Sequence, residues 1–537
     1  MKDISILIGG RAGDGIDTAG PVIARIFKSQ GYYVYLYRDY QSLIRGGHNF
    51  SLIRASKNKI GAYKNTQEII LALNQETVDI HKSRLLKKGL IIYDSDTVKS
   101  RGKGIPLTSI TKQLEAPPIV RNSGLLGALC KTLGVDWKIS EKVIRENTPK
   151  EIELNLKVAK KGYELAEKVF SLSRINQKSL PLFMGNETIG LGLVKAGLKS
   201  YVAYPMTPSS TLLHFLAQNS GEFGIKVFHP ENEIGVIITA LGMSYAGEKV
   251  AVGTSGGGFC LMSEGLSLSG MAELPVVIVV SQRPGPATGL PTHTAQGDLS
   301  FILHAGHGEF TRFVVAPGDP EECYFWAGVS LNLAWKYQTP SFILVDKNVS
   351  ESMYSFNPEE AGNLKEEKYP EWDKRDSYLR YKLTKNGVSP LAFPGNSKAI
   401  VKVSSYEHDE YGITTEDSLK TVLMQDKRLR KEDYMAKELE KYKTIKIYGN
   451  KKSKKALICW GSVKGVCTEV AEKLDMKVVQ ILVISPFPVK KIEKALKGVN
   501  TVIDVENNAT AQLAKILSQN GICINKTILK YDGRPRK

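Results

Sequence analysis

The sequence has no pair of cysteines with the C-x-x-C spacing. Its cysteines are scattered along a chain of 537 residues, at Cys130, Cys260, Cys323, Cys459, Cys467 and Cys523. Zinc sites and ferredoxin-type iron–sulfur clusters usually draw their ligands from such closely spaced pairs. We therefore expect no metal site built from neighbouring residues of this chain, and any metal that it needs must come from elsewhere.

Long apolar runs are also missing. The longest, Leu274 to Val280 and Val478 to Ile484, fall far short of the ~20 residues that a membrane-spanning helix needs. The N-terminus opens with Met1-Lys2-Asp3-Ile4 directly into a strand-like segment, without the apolar stretch of a signal peptide. We expect a cytoplasmic protein that has no contact with a membrane.

Acidic residues are too few to balance the basic ones. The chain has 73 lysines and arginines against 55 aspartates and glutamates, a formal net charge of +18. Such a charge attracts nucleic acid, an acidic protein partner or a phosphorylated cofactor. The basic runs Lys427 to Lys431 and Lys451 to Lys455 lie in apparent linkers, so we interpret most lysines as a solvated surface.

Basic and aromatic residues form no interleaved stripe, and no recognised nucleic-acid motif occurs in the chain. We therefore expect no nucleic acid among its partners. A non-catalytic nucleotide- or nucleic-acid-binding protein with a basic surface remains the alternative function at this point.

What the sequence does have is the composition of an ordinary globular protein, with 42% hydrophobic and 24% charged residues. Strand, turn and helix patterns alternate along it, which predicts an α/β protein with three parallel-sheet domains. The expected domains are residues 1–175, 176–355 and 445–537, with a charged linker and helix over 356–444. Within the second domain, Asp319 before Pro320 predicts a capped helix start.

The segment Tyr204 to Ser210 is the most informative one. A strand-like Tyr201-Val202-Ala203 leads into it, and Thr207-Pro208 is typical of an N-cap followed by proline in the first helical turn. A helix N-terminus at the end of a parallel strand would bind a carboxylate. A plain helix cap is the alternative interpretation of Thr207-Pro208 alone.

Four segments in order resemble the motifs of one enzyme family. Tyr204-Pro205-Met206-Thr207-Pro208 is similar to the Y-P-x-T-P motif of the 2-oxoacid:ferredoxin oxidoreductases. The match continues at three later places: Glu231 to Gly235, Thr254 to Phe259, and Gln282 to Thr292.

The resemblance extends over essentially the whole chain. The first domain is similar to the family's gamma domain through its glycine turn, Gly9 to Gly15, and through Ile44-Arg45-Gly46-Gly47-His48. Glu407 to Gly412 and Tyr531 to Pro535 are similar to later family motifs. This order implies a gamma domain fused in front of an alpha subunit, whose other domains bind the pyrimidine end of thiamine diphosphate and resemble the transketolase C-terminal domain.

The resemblance implies a glutamate that hydrogen-bonds the aminopyrimidine ring and so helps to remove the cofactor's C2 proton. We assign this catalytic role to Glu233, with Glu231 as the alternative. The matching positions that would contact the cofactor are Tyr204, Pro205, Gly256 and Gly257.

The positions that match the family's contacts to the substrate carboxylate are Arg283, Thr292 and Thr207. A guanidinium presents two planar donors to a carboxylate, and its permanent charge favours a 2-oxoacid over an aldehyde.

The implied reaction is the coenzyme A-dependent oxidative decarboxylation of a 2-oxoacid, with electrons passed to ferredoxin. Gly13-Asp14-Gly15 imitates the magnesium and diphosphate motif of thiamine enzymes, but it lies in the gamma-like domain. The resemblance therefore implies a separate beta subunit that carries the diphosphate and Mg²⁺ site and a 4Fe–4S cluster, in a dimer of heterodimers.

Overall fold

The computed structural model describes residues 3–42 and 47–537. Ile44, Arg45 and Gly46 of the gamma-like motif lie outside these described residues. The chain divides into two compact units. The first reaches to Met184 and also contains Glu351–Asn357 and Lys537, whereas the second contains Gly185–Ser350 and Pro358–Arg536.

A mixed sheet forms the centre of the first unit. Its strands are β1 (Asp3–Arg11), β2 (Tyr33–Asp39), β3 (His48–Ser56), β4 (Gln67–Ala72), β5 (Leu85–Asp94), β6 (Lys103–Ile105), β7 (Leu182–Met184) and β14 (Met353–Ser355). Their order is β6-β5-β4-β1-β3-β2-β14-β7. β1, β4, β5 and β6 are parallel neighbours, and the other pairs are antiparallel.

The antiparallel half differs from the parallel sheet that was expected for this domain. β2 and β3 are joined by the short stretch between Asp39 and His48, which is too short for the helical crossover that parallel neighbours need. The segment Glu351–Asn357 supplies β14, which pairs with β2 and β7.

Helices cover the sheet of the first unit. They are α1 (Ile16–Ser29), α2 (Gln75–His81), α3 (Leu107–Gln113), α4 (Arg121–Leu133), α5 (Trp137–Asn147) and α6 (Ile152–Leu165), with 3₁₀ turns at Lys82–Arg84 and Pro118–Val120. α1 follows Gly15, whose φ of 76° belongs to the left-handed region that glycine adopts readily.

The second unit contains two sheets. The larger one has the strand order β18-β12-β13-β11-β10-β8-β9. Its strands are β8 (Ser200–Val202), β9 (Lys226–Phe228), β10 (Val250–Thr254), β11 (Val276–Gln282), β12 (Phe313–Val315), β13 (Pro340–Asp346) and β18 (Val483–Ser485). They are parallel except for β18, as the buried apolar runs predict.

Helices pack around this larger sheet. They are α7 (Gly185–Lys195), α8 (Ser210–Gln218), α9 (Ser220–Phe223), α10 (Glu233–Tyr245), α11 (Gly256–Ala272), α12 (Leu299–His304), α13 (Pro320–Tyr337), α14 (Lys347–Glu351) and α15 (Ser418–Glu438), and a 3₁₀ turn follows at Leu439–Lys441. The predicted start of α13 is confirmed, because the Asp319 side chain accepts a hydrogen bond from the Glu322 N–H and Pro320 is the first residue.

The smaller sheet of the second unit has the order β15-β17-β16-β19-β20. Its strands are β15 (Ile445–Gly449), β16 (Lys455–Cys459), β17 (Lys477–Ile481), β19 (Thr501–Glu506) and β20 (Lys526–Leu529), with helices α16 (Val463–Leu474), α17 (Val489–Leu496) and α18 (Gln512–Gln519). All neighbours are parallel except β15 and β17. The α/β class with three sheets is confirmed; the domain boundaries stay predictions.

Buried charges connect the two sheets of the second unit. Glu322 of α13 accepts from the Nζ of Lys464 and of Lys446, each at 2.8 Å, and from Gln480 Nε2 at 2.7 Å. Burial alone would raise the pKa of Glu322, but the charges of Lys464 and Lys446 hold it well below its usual range. The C-terminal sheet is thereby held against the sheet that carries the predicted site.

The interpretation of Lys427 to Lys431 as a solvated linker was wrong. These residues belong to α15, where Lys427, Arg428 and Lys431 are buried. Lys427 and Lys431 pair with the buried Glu273, and Arg428 pairs with Glu407. Charge composition did not reveal this because the acidic partners lie far away in sequence.

Within the described part of the chain, no helix combines the length and the apolar composition needed to cross a membrane.

Candidate active site

The Y-P-M-T-P segment follows β8 and forms a turn before α8. The Thr207–Pro208 peptide bond is cis, and the Ser209 N–H donates to the Met206 carbonyl oxygen at 2.8 Å. Residues Met206 to Ser209 form this turn, and α8 begins after it, at Ser210, with Ser209 at the N-cap. The expectation that Thr207 caps the helix was therefore wrong, although the segment does follow the end of a parallel strand as expected.

Arg283 joins this turn to the next part of the sheet. It follows the end of β11, and its Nη1 donates to the Thr207 carbonyl oxygen at 2.7 Å. Its Nε is buried without a hydrogen-bond partner. Burial lowers the pKa of Arg283, while the negative charges of Asp298 and Glu233 oppose that shift. Arg283 and Thr207, far apart in sequence, are thus in direct contact.

Glu233 is the first residue of α10. Asn232 caps this helix, since its side chain accepts a hydrogen bond from the Gly235 N–H at 3.0 Å. The Glu233 side chain is turned inward: the residue is 3% exposed, and its Oε1 is buried without a partner. Glu231, the alternative candidate, is exposed. Of the two, Glu233 is the carboxyl inside the protein.

The glycine run Gly256-Gly257-Gly258 begins α11 directly after β10. A Cβ on Gly258 would lie 2.5 Å from Glu233 Oε1, and a Cβ on Gly256 would lie 2.4 Å from Asp298 Oδ2. Glycine is therefore required here because two carboxyl groups approach the helix backbone on either side of it. Gly257 is exposed between them.

The N-terminus of α11 is not capped by a side chain. Ser255 occupies the N-cap position, makes no side-chain cap bond, and its Oγ is buried without a partner. The first N–H groups of a helix have no partners inside the helix, and the helix dipole makes them attractive to anions. This end of α11 is thus suited to a polar or negatively charged ligand.

Tyr204 and Pro205 are exposed in the turn beside β8, and Tyr204 packs edge-on against His229 with 5.6 Å between ring centroids. Thr292 is buried, with its Oγ1 3.2 Å from His293 Nδ1. Tyr204, Pro205 and Thr292 thus lie in loops of the larger sheet of the second unit.

The loop that carries Thr292 is held by the C-terminal sheet. The Thr294 N–H donates to the Gly533 carbonyl oxygen at 3.0 Å. The buried Gln296 is bonded on all sides: its Nε2 donates to the Trp460 carbonyl oxygen, and its backbone and Oε1 bond to Asn507. The Tyr531 to Pro535 motif thus acts as a support for the loop between Arg283 and Thr292.

Asp298 is a residue of this region that sequence reasoning missed. Its Oδ2 is buried without a partner, and burial raises its pKa to about 6, although Arg283 opposes the shift. Asp298 lies just before a short apolar helix, where an aspartate is typical of an N-cap. The sequence therefore offered no reason to expect a role for it in the site. The usable signal was its place in Gln296-Gly297-Asp298, which begins four residues after the end of the Gln282 to Thr292 motif.

Two family models match the chain. The model described as "Pyruvate flavodoxin/ferredoxin oxidoreductase, thiamine diP-bdg" matches residues 192–428. The model described as "Pyruvate ferredoxin/flavodoxin oxidoreductase" matches residues 5–165.

Relatives match over almost the whole chain. The 2-oxoacid:ferredoxin oxidoreductase subunit alpha of Sulfolobus sp is 32% identical, over 99% of this chain and 95% of its own length. The alpha subunit of 2-oxoacid:ferredoxin oxidoreductase 2 of Aeropyrum pernix is 29% identical, over 100% of this chain and 96% of its own.

A solved structure has the same fold. It is the 2-oxoglutarate:ferredoxin oxidoreductase from Magnetococcus marinus with 2-oxoglutarate, coenzyme A and succinyl-CoA bound. It superposes with a TM-score of 0.91 at 29% identity, over 100% of this chain and 98% of that one.

Proposed function

The chain belongs to the 2-oxoacid:ferredoxin oxidoreductase family, and from this premise we propose that it supplies the substrate and pyrimidine half of an active site completed by a second subunit. The reaction is the oxidative decarboxylation of a 2-oxoacid to an acyl-CoA and CO₂, with electrons passed to ferredoxin. The chain is similar to enzyme subunits over 99% of its length. We therefore set aside the alternative function, a non-catalytic nucleotide- or nucleic-acid-binding protein.

One observation carries the proposal. The buried carboxyl of Glu233 and the Arg283 guanidinium, which is bonded to the Y-P-M-T-P turn, lie beside the uncapped glycine start of α11. Four buried polar atoms of this region have no hydrogen-bond partner: Glu233 Oε1, Ser255 Oγ, Arg283 Nε and Asp298 Oδ2. A polar ligand would give them partners.

Thiamine diphosphate fits this set of residues. When bound, the cofactor supplies a nucleophilic carbon and an electron sink for decarboxylation. Glu233 would hydrogen-bond the aminopyrimidine ring through the unpartnered Oε1 and exchange a proton with its nitrogen. Gly256, Gly257, Tyr204 and Pro205 would surround the ring, since glycines let the backbone approach closely and the turn is exposed.

The substrate carboxylate would bind to Arg283, with Thr207 and Thr292 as further donors. The bond from Arg283 Nη1 to Thr207 fixes the plane of the guanidinium, which leaves its other donors to make a bidentate contact. Coenzyme A would accept the acyl group. The Magnetococcus enzyme, which has coenzyme A and succinyl-CoA bound, supports this step by similarity.

We propose that the beta subunit supplies the diphosphate anchor, Mg²⁺ and a 4Fe–4S cluster. In the Gly13-Asp14-Gly15 sequence of this chain, the Asp14 carboxyl already has partners within the protein. Asp14 Oδ2 accepts the Arg11 N–H at 2.8 Å, and Asp14 Oδ1 pairs with Arg121 at 3.3 Å. A cytoplasmic location stays a prediction of the sequence.

The surface beside Glu233 suits a protein partner. Ile234, Ile238 and Leu261 are 51%, 47% and 48% exposed and line a groove of about 520 Å³ between α10 and α11. Contiguous exposed apolar surface is typical of protein interfaces. A beta subunit bound here would cover Glu233 and exclude water from the cofactor, and the pairs would assemble as a dimer of heterodimers.

Co-expression with a cluster-bearing beta subunit tests the proposed function. The purified complex should reduce a viologen dye only when a 2-oxoacid and coenzyme A are both present. Pyruvate, 2-oxoglutarate and a branched 2-oxoacid would be compared, with the matching aldehydes as controls. Reduction driven equally well by an aldehyde would contradict the proposed carboxylate site, as would a complex inert with every 2-oxoacid.

A further inference from the structure

Asp298 has the position of a helix cap but not the contacts of one. It precedes α12 at the N-cap, and its side chain makes no cap hydrogen bond. By contrast, Asp319 and Asp417 at the starts of α13 and α15 both cap their helices. The usual structural reason for an aspartate at this position therefore does not apply to Asp298.

The Asp298 carboxyl points to the start of α11 instead. Both of its oxygens and its Cγ would lie within 2.4 to 2.6 Å of a Cβ on Gly256. Its backbone is fixed, since its N–H donates to Gln282 Oε1 at 3.0 Å and Gln282 Nε2 donates to the Val345 carbonyl oxygen at 3.3 Å. Gln282 immediately precedes Arg283, so the backbone of Asp298 is bonded to the end of the strand that leads to Arg283.

The charges around Asp298 are few. Of the described residues, Arg283 is the one whose charge acts on it appreciably, and Arg283 is itself under the influence of Asp298 and Glu233. Burial raises the pKa of Asp298 to about 6, so the carboxyl takes up a proton under mild conditions. A substrate carboxylate at Arg283 would add a further negative charge to this buried group.

We propose that Asp298 is a positioning residue that balances the charge of Arg283: it is a carboxylic acid while the 2-oxoacid carboxylate occupies Arg283, and a carboxylate when that place is vacant. This inference rests on the proposed function. The proton comes from solvent as the substrate binds and returns to solvent when CO₂ leaves, so the overall reaction neither gains nor loses it.

The consequence is a specific pH dependence of binding. Above about pH 6, substrate binding is coupled to the uptake of one proton, so the dissociation constant rises by up to about tenfold per pH unit. The bound anion raises the pKa of Asp298 further, which extends this range upward. An amide at position 298 carries no charge, and it should bind the carboxylate equally well across the range.

The test is a calorimetric titration of the complex with non-reacting 2-oxoacid analogues, oxamate and N-oxalylglycine. Titrations in two buffers of different ionisation enthalpy give the number of protons taken up. The wild-type complex should take up close to one proton per site between pH 7 and 8. Asp298→Asn should take up none, and its dissociation constant should vary less than twofold from pH 6 to 8.

Asp417→Asn is the matched control, because Asp417 caps α15 through an N–H bond from Lys420 at 2.8 Å and lies on an exposed surface. It should behave as the wild type does. Asp298→Ser, with the same expected loss of proton uptake, replaces Asp298→Asn if that variant does not fold.

Binding without proton uptake in the wild type overturns the role of Asp298, as does unchanged uptake in both Asp298 variants. If neither analogue binds to the wild type at any pH, it is the proposed function that fails. The two failures are therefore distinguishable.

Discussion

Glu231 and Glu233 are two residues apart, but only Glu233 is buried, because it starts α10 with its side chain toward Thr254 and Gly258. The family pattern left both glutamates as candidates for the same role. Burial distinguishes them, because Glu233 is the carboxyl that faces the interior beside the glycine start of α11. The catalytic role of Glu233 stays a prediction.

Glu233→Gln should nearly abolish turnover while thiamine diphosphate still binds to the complex. The amide keeps the shape of the side chain but cannot exchange a proton with the ring nitrogen. Exchange of the cofactor's C2 proton, followed by NMR, measures this step directly. Glu231→Gln is the matched control and should exchange as the wild type does; the opposite result would move the assignment to Glu231.

Arg283→Lys should raise the KM for the 2-oxoacid and leave the fold intact. Lysine keeps the charge but loses the planar pair of donors, and one charged hydrogen bond contributes roughly 1.5 to 3 kcal/mol. We expect kcat/KM to fall about tenfold to hundredfold. Steady-state kinetics against the 2-oxoacid measures the loss, and kinetics equal to the wild type would remove Arg283 from the carboxylate site.

At the residue scale, the motifs predicted which residues lie near one another in the site, but not the contacts that depend on the fold. Thr207 and Arg283 are in contact, as the proposed carboxylate site would require. Asp298 was missed because its environment depends on its close approach to Gly256, which is not visible in local sequence. The prediction that Thr207 caps the helix was wrong because Met206 to Ser209 form a hydrogen-bonded turn before the helix begins.

At the scale of elements, a buried charge cluster joins the end of α11 to α15. Glu273, at the C-cap of α11, accepts two hydrogen bonds of 2.7 Å from Lys427 and pairs with Lys431. The Arg380 side chain donates to the Glu273 carbonyl oxygen at 2.9 Å. Burial lowers the pKa of Lys427 to about 7, although Glu273 opposes the shift.

Glu273→Gln should destabilise the protein by about 3 to 5 kcal/mol, because it leaves buried lysines without a counter-charge. The contribution of Lys427 to stability should rise with pH from 7 toward 10, in the wild type and in the variant alike. A buried lysine with a lowered pKa binds fewer protons in the folded state than in the unfolded state, so stability increases with pH in this range.

Urea unfolding followed by tryptophan fluorescence at pH 7 and pH 9.5 measures both effects. Glu248→Gln is the control, since Glu248 pairs with the exposed Lys226 and its removal should cost less than about 1 kcal/mol. Equal losses for Glu273→Gln and Glu248→Gln would show that the cluster does not stabilise the fold.

Helix and strand positions followed from sequence where local signals were strong. Asp319-Pro320 begins α13, and the apolar runs of the larger second-unit sheet became parallel strands. The antiparallel half of the first sheet was not predicted, because pairing between distant segments such as β14 and β2 leaves no periodic signal.

At the scale of the whole molecule, the central claim is that this chain holds half of a reaction centre. The residues that we propose for the pyrimidine ring and for the substrate carboxylate, Glu233 and Arg283, both lie in the second unit. The surface next to them is apolar and open at Ile234 and Ile238. The similarity to alpha subunits over 99% of the chain supports the proposal that the missing functions belong to another chain.

The most direct test is to assay iron, acid-labile sulfide and dye reduction in the chain purified alone and in its complex with the beta subunit. We predict that the chain alone is colourless, iron-free and inactive toward every 2-oxoacid. The complex should be brown and should reduce the dye when 2-oxoacid and coenzyme A are supplied. A stoichiometric cluster, or substrate-dependent dye reduction, in the chain alone would contradict the account.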